Sequence, residues 1–229
     1  MSPAVLTHMA IGGLALSLYW TALGTRKGGG RHRGAGKAAL ALLVLTGLSV
    51  GPILFARPFD PGYVVQMVYL ATCLATVSAL AFNAIRLKAD PDRFRGPLLR
   101  RGGPVLLALG VIVLAAGLAK GDPVAVTLSW VGLVYGTAMI RFARRPGPVH
   151  PRWWLSWHLD AVAGLFNAVH GTVLFVVARG LQVVPDTPAA QAGFQVATMA
   201  MALGLRVYYG RKYRAPLRLR AVGDRRALA

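Results

Sequence analysis

Seven apolar stretches dominate the chain, at roughly residues 3–23, 37–56, 63–85, 103–119, 124–140, 155–178 and 189–209. Each is close to the ~20 residues that a helix needs to cross ~30 Å of hydrocarbon. None shows the ten-residue alternation of a membrane strand. An open sheet cannot cross either, because lipid leaves its edge hydrogen bonds unmet. The pattern predicts an all-α fold, a bundle of seven transmembrane helices. Three of the gaps are brief and rich in turn residues: Arg57-Pro58-Phe59-Asp60-Pro61-Gly62, Lys120-Gly121-Asp122-Pro123, and Arg179 to Pro188. Such punctuation ends one helix and starts the next. No gap has room for a soluble domain. The organisation expected is one membrane domain over 1–209 and a basic tail over 210–229.

Charge adds a direction. Twenty-three of the 26 Lys and Arg fall in every second gap or in the tail. The other gaps hold only Arg57, Lys120 and Arg179. Basic loops stay on the cytoplasmic side of a bilayer. The N-terminus is therefore expected outside and the C-terminus inside, in a bacterial inner membrane. The first stretch has no basic segment before it and five cations after it, so it reads as an N-out anchor and not as a signal peptide. The net charge of +19 would suggest nucleic acid in a soluble protein. In this setting it marks the cytoplasmic face, where the expected partners are anionic lipid headgroups and not nucleic acid. The composition, 55% hydrophobic and 14% charged, agrees. A single cysteine, Cys73, excludes an internal disulfide and zinc sites built on Cys pairs.

Polar groups inside the stretches are the candidate chemistry. All seven acids are Asp, and Asp160 alone lies within a stretch, near the inner end of the sixth. A charge within a span is costly and should face protein or water with a partner. Arg86 and Arg206, at helix ends on the same side, are the basic candidates. At 100° per residue, Ser156, Asp160, Gly164, Asn167 and Gly171 share one face, with His170 on its flank. His8, Gly12, Ala15 and Tyr19 share a face of the first helix. Gln66, Tyr69, Cys73, Thr76 and Asn83 form a band on the third, and Gln191, Gln195 and Thr198 align on the seventh. The fourth, from Pro104 to Leu118, has no polar side chain and is expected to face lipid. A ligand pocket built from Asp160, Asn167, His170, His8 and Tyr19 is one reading. Structural hydrogen bonding along the same stripes is the other.

Imidazole pairs from two helices at matched depth can ligate haem iron. His8 and His170 fall in the outer half, His32 and His158 near the inner face, so haem b is a possible cofactor. The 12-residue separation of His158 and His170 puts them about 120° apart around one helix, which does not suit a single column of stacked haems. There is no Glu, no H-E-x-x-H, no P-loop and no lysine inside a stretch for a retinal Schiff base. No catalytic residue is assigned.

The most distinctive local string is the first basic loop, from Arg26 to Gly36. Its glycines free backbone amides, and Arg26, Lys27, Arg31, His32 and Arg33 favour an anion at headgroup depth, most simply a lipid phosphate. With Thr7-His8-Met9-Ala10-Ile11-Gly12-Gly13-Leu14-Ala15-Leu16 before it, the string Arg26-Lys27-Gly28, His32-Arg33 and Gly36 resembles the opening of the bacterial membrane family DUF2306, with its R-K-G-x-x-x-H-R-x-x-G loop. Further similarities are His158 after Trp153-Trp154-Leu155, and Tyr208-Tyr209-Gly210-Arg211-Lys212-Tyr213. The resemblance singles out His8, His32, Arg33 and His158 and implies no reaction. Three functions stay open: a bundle that binds or transports a lipid or small molecule through helix six, a haem-binding electron-transfer protein, and a non-catalytic membrane scaffold or assembly factor. A water-reachable cavity around helix six distinguishes the first. Tight packing at the polar stripes distinguishes the last.

Overall fold

The computed structural model describes residues 2–56, 58–145 and 147–216. The described residues form seven long helices and no strand: α1 Pro3–Gly24, α2 Gly30–Phe55, α3 Pro61–Arg86, α4 Gly103–Lys120, α5 Pro123–Arg144, α6 Trp153–Gly180 and α7 Pro188–Lys212. Six segments are long and apolar enough to cross a membrane: α1, α2, α3, α4 with its lead-in from Pro91, α5 and α6. This is consistent with a multi-pass integral membrane protein. The seventh expected span, α7, has the length at 25 residues but falls short in hydropathy. Gln191, Gln195 and Arg206 are the cause. Of the expected tail, residues 210–212 continue α7, and 217–229 lie outside the described residues.

The helix ends follow from local chemistry. Ser2, Asp122 and Thr187 each cap a helix by accepting a backbone N–H, and each is followed by a proline at the first helical position. Asp60 receives Gly62 N–H at 2.9 Å ahead of α3. Gly121 closes α4 in the left-handed conformation, with φ 65°. Two helices are broken at a serine. α2 pauses at Ser49, where Pro52 cannot donate to the Leu48 carbonyl and the Ser49 hydroxyl bonds Thr46 O at 2.8 Å. α5 pauses at Ser129, whose hydroxyl bonds Val126 O at 2.7 Å. Ahead of α4, the π-helical turn Leu98–Gly102 takes up the mismatch that Pro104 imposes.

The chain divides into two compact units, one up to Phe82 and one from Asn83. In the first unit, α1 and α2 form an antiparallel hairpin. The small residues Gly12 and Gly36 let the helices approach, Gly12 against Thr46 and Gly36 against Ala22. Gly47 does the same against Ala71 of α3.

In the second unit, α4 lies against α5 along a glycine seam. Gly103, Gly110 and Gly117 recur every seven residues and meet Met139, Gly132 and Val126. A Cβ on Gly132 would sit 2.6 Å from the Leu106 carbonyl, and one on Gly136 2.6 Å from Leu107 N. The sequence Gly132-x-x-x-Gly136 is thus a close-approach motif. The apolar α4 is not lipid-facing all round. One side takes α5, while Val105, Val111, Ile112 and Leu118 stay exposed.

The same unit gathers three segments at one end. Arg95 is buried, with its guanidinium 2.5 Å from Asp92, bonded to Gly147 O at 3.1 Å and placed over the Phe142 ring at 5.2 Å. Phe94 packs among Phe142, Trp153 and Trp157. Arg152 donates to Tyr213 O. The gaps before α4 and α6 and the segment after α7 therefore meet.

Candidate functional site

The polar face of α6 is the best-defined cluster in the molecule. Its helical period brings Ser156, Asp160, Gly164, Asn167 and Gly171 to one side, and α7 and α5 fill that side from end to end. Asp160 forms an ion pair with Arg206 of α7, whose Nε meets the carboxylate. Arg206 is 6% exposed and the Asp160 side chain 13%. Arg206 Nη2 also donates to Ser156 Oγ at 3.0 Å and to the Pro216 carbonyl at 2.7 Å. The Ser156 hydroxyl donates to the same carbonyl at 2.8 Å. One buried cation thus ties α6, α7 and the segment that follows α7. The Tyr135 hydroxyl of α5 donates to Asp160 O at 2.5 Å and lies where a Gly164 Cβ would have to go, 2.3 Å away.

One turn beyond Gly164, the buried Asn167 is saturated. Its amide donates to Gln195 O at 2.7 Å and to Thr198 Oγ1 at 2.9 Å, and its carbonyl accepts Trp130 Nε1 at 3.2 Å. Gln195 occupies the space opened by Gly171, where a Cβ would lie 2.2 Å from its Oε1. It donates to Thr172 Oγ1 at 3.1 Å. His170 is buried, bonds Phe166 O through Nδ1 at 2.8 Å, and stacks on the Phe166 ring at 4.0 Å. The glycines on this face therefore mark where side chains from α5 and α7 enter. Among the described residues, Arg206 Nη1 and Gln195 Oε1 are buried without a hydrogen-bond partner.

The other proposed pocket residues lie in the first unit. His8 bonds Ser49 Oγ at 2.9 Å through Nδ1, and so meets α2 at its break. Tyr19 is buried on the same face of α1 as Ala15. The structure brings Asp160, Asn167 and His170 onto one helix of the second unit, and His8 and Tyr19 onto one helix of the first. His158 lies on α6, half-buried. No group of three or more His, Cys, Asp or Glu among the described residues could hold a metal ion.

The first basic loop differs from its sequence reading. It is only Thr25–Gly29, and α2 begins at Gly30, so Arg31, His32 and Arg33 are helical. The turn uses φ +77° at Gly28. Two of the five expected anion ligands have another role. His32 Nδ1 bonds Ala22 O at 2.8 Å, and Lys27 Nζ bonds Ala22 O at 3.2 Å and also Leu23 O. Both satisfy carbonyls that the last turn of α1 leaves open. Arg26, Arg31 and Arg33 remain exposed.

Two features were missed by sequence reasoning. The Gly132-x-x-x-Gly136 spacing was visible in the sequence. In the Arg95 nest the Asp92 pairing is local, three residues away, but the contacts with Gly147 and Phe142 join segments about fifty residues apart and leave no local signal. Comparison with family models, curated proteins and solved structures returns no match.

Proposed function

We propose that this chain is a non-catalytic scaffold of a bacterial inner membrane, with seven spans, its N-terminus outside and its C-terminus in the cytoplasm. The observation that carries the scaffold reading is the filled face of α6. The groups best suited to bind a ligand are used to join helices, and Tyr135 and Gln195 occupy the space left by Gly164 and Gly171. Supporting the seventh span is the inverted amphipathicity of α7. Its buried positions include Gln195, Thr198 and Arg206, while Val196, Met201, Leu203 and Val207 are exposed. Water would favour the reverse arrangement, and hydrocarbon favours this one. Supporting the orientation, the two basic gaps before α4 and α6 meet each other and the segment after α7 at one end of the second unit. The cations at that end, with Arg26 of the first loop and Arg31 and Arg33 in the first turn of α2, contact anionic headgroups. The resemblance to DUF2306 fits this reading without adding a reaction.

A second reading has one observation in its favour. Arg206 Nη1 is buried without a hydrogen-bond partner among the described residues, so a bound anion could complete its coordination beside Asp160. Thiol access separates the two. In a Cys73→Ala background, Thr198→Cys places a near-isosteric thiol within the α6–α7 network. The scaffold reading expects no reaction with a water-soluble maleimide in the folded protein. Labelling at a rate close to that of an exposed control, Val183→Cys, establishes a water-filled path and favours the binding or transport bundle.

A further inference from the structure

The outward face of α7 carries a groove of about 790 Å³ that the scaffold reading does not use. It is lined by Leu203, Gly204, Val207, Tyr208, Arg211 and Lys212. The order of these residues along the helix is informative. From Leu203 to Tyr208 the lining is apolar or aromatic, and at ~1.5 Å per residue this covers roughly 8 Å. Two cations follow within the next turn. Gly204 sits in the apolar part with nothing within 4 Å of where a Cβ would be, so the depth of the groove comes from that missing side chain. Leu203 and Tyr208 are 60% and 57% exposed. Lys212 Nζ lies 5.6 Å from the Tyr208 ring and 5.9 Å from that of Tyr213, which holds the ammonium beside the groove. Among the described residues no carboxylate lines it.

We propose that this groove seats one anionic phospholipid, with an acyl chain along Leu203, Gly204 and Val207 and its phosphate on Arg211 and Lys212. The inference rests on the reading that α7 crosses the bilayer with its C-terminal end at the cytoplasmic surface. Basic residues just inside a membrane surface attract anionic lipid, and tyrosine favours the headgroup level. A second copy of the chain is the competing occupant, because Gly193, Ala197, Ala200 and Gly204 share the exposed face. Two copies in one membrane related by a two-fold axis along its normal would set the Arg211 and Lys212 pairs against themselves at equal depth. Among the described residues no acid on this face would offset that repulsion. A lipid phosphate neutralises the same cations, so charge favours the lipid.

The test uses the full chain purified from membranes, with native mass spectrometry against phosphatidylglycerol and the zwitterionic phosphatidylethanolamine. Gly204→Leu puts its Cβ into open space and its branched end into the groove, so it should fold as the wild type, which its melting temperature checks. Arg211→Gln/Lys212→Gln removes the cations. The wild type should select phosphatidylglycerol for its first adduct. The double variant should weaken that adduct roughly 30-fold, the loss of two interfacial cations. Gly204→Leu should lose it as well, while Arg141→Gln/Arg144→Gln should retain it. An unchanged first adduct in Gly204→Leu overturns the proposal, as does equal retention of the two lipids by the wild type. Conversion of a dimer to a monomer by Gly204→Leu also overturns it, because the groove is then an interface between copies. Recovery of the chain from the soluble fraction defeats the underlying membrane reading, whereas recovery from membranes with unaltered lipid binding defeats only the groove.

Discussion

Removing one partner of the Asp160–Arg206 pair should be far more damaging than removing both. Arg206 is 6% exposed, and the Asp160 carboxylate supplies the negative charge facing it. Its remaining acceptors, Ser156 Oγ and Pro216 O, are neutral. Asp160→Asn preserves shape and leaves a buried guanidinium without its counter-ion. Breaking a buried pair from one side costs about 3–5 kcal/mol. Arg206→Met leaves the carboxylate exposed only to the extent of 13%, and it also releases the Pro216 carbonyl, so a similar loss is expected. Asp160→Leu/Arg206→Met removes both charges and substitutes apolar volume. Such replacements range from neutral to stabilising by ~1–4 kcal/mol where the packing is accommodated. The double variant should therefore lose much less than the sum of the singles, with a coupling of at least ~2 kcal/mol, within the range seen for groups in one network. The assay is reversible unfolding in mixed micelles, at fixed detergent and lipid, for the wild type, the two singles (Asp160→Leu and Arg206→Met) and the double. Additive losses, or single losses below ~1 kcal/mol, would show that the pair is solvated and does not join α6 to α7.

Other consequences can be checked on the same purified protein. Gly136→Ala places a methyl group 2.6 Å from Leu107 N and should cost ~1–3 kcal/mol by overpacking, read as a lower melting temperature. Gly13→Ala, on an open face of α1, should be neutral or slightly stabilising, because alanine favours a helix over glycine by ~1 kcal/mol. His32→Ala with Lys27→Met strips the cap from the last turn of α1, at about 1 kcal/mol per hydrogen bond lost. Hydrogen exchange should then rise at Thr25–Gly29 and stay unchanged in α6. An absorbance scan should show no Soret band under the scaffold reading, and a stoichiometric one would restore haem ligation by His8, His32, His158 or His170.

The helical segments were legible because lipid-length apolar runs and their proline, aspartate and glycine punctuation are local signals. The polar face of α6 was legible for the same reason, as it needs only the helical period. Arg206 could be named, beside Arg86, as a partner for Asp160 because both lie at helix ends on the same side as that carboxylate, and Arg206 is the one that pairs with it. What covers the face was not legible. Tyr135 and Gln195 fit into Gly164 and Gly171 through tertiary contact, which leaves no periodic trace. The start of α2 lies seven residues before the apolar stretch that began at residue 37, for a related reason. Four glycines from Gly28 to Gly34 read as a loop by propensity, yet His32 and Lys27 bond the end of α1 and hold the turn short, so the helix begins at Gly30 and runs through Gly34. The apolar α4 concealed its partner because its seam is made of glycines, which a polar-stripe argument cannot see.

The central claim is that α7 crosses the membrane with its polar face turned inward, which makes the bundle seven-span and sets both ends of the chain on opposite sides. Membrane-impermeant thiol labelling in the Cys73→Ala chain tests it at the two ends of that helix. Val183→Cys and Lys212→Cys flank α7, and both positions are exposed. The account predicts that Val183→Cys reacts in intact cells stripped of their outer membrane, and that Lys212→Cys reacts only after the inner membrane is permeabilised, as does Arg31→Cys. Reaction of Val183→Cys and Lys212→Cys from the same side would contradict it, leaving six spans and α7 lying outside the hydrocarbon.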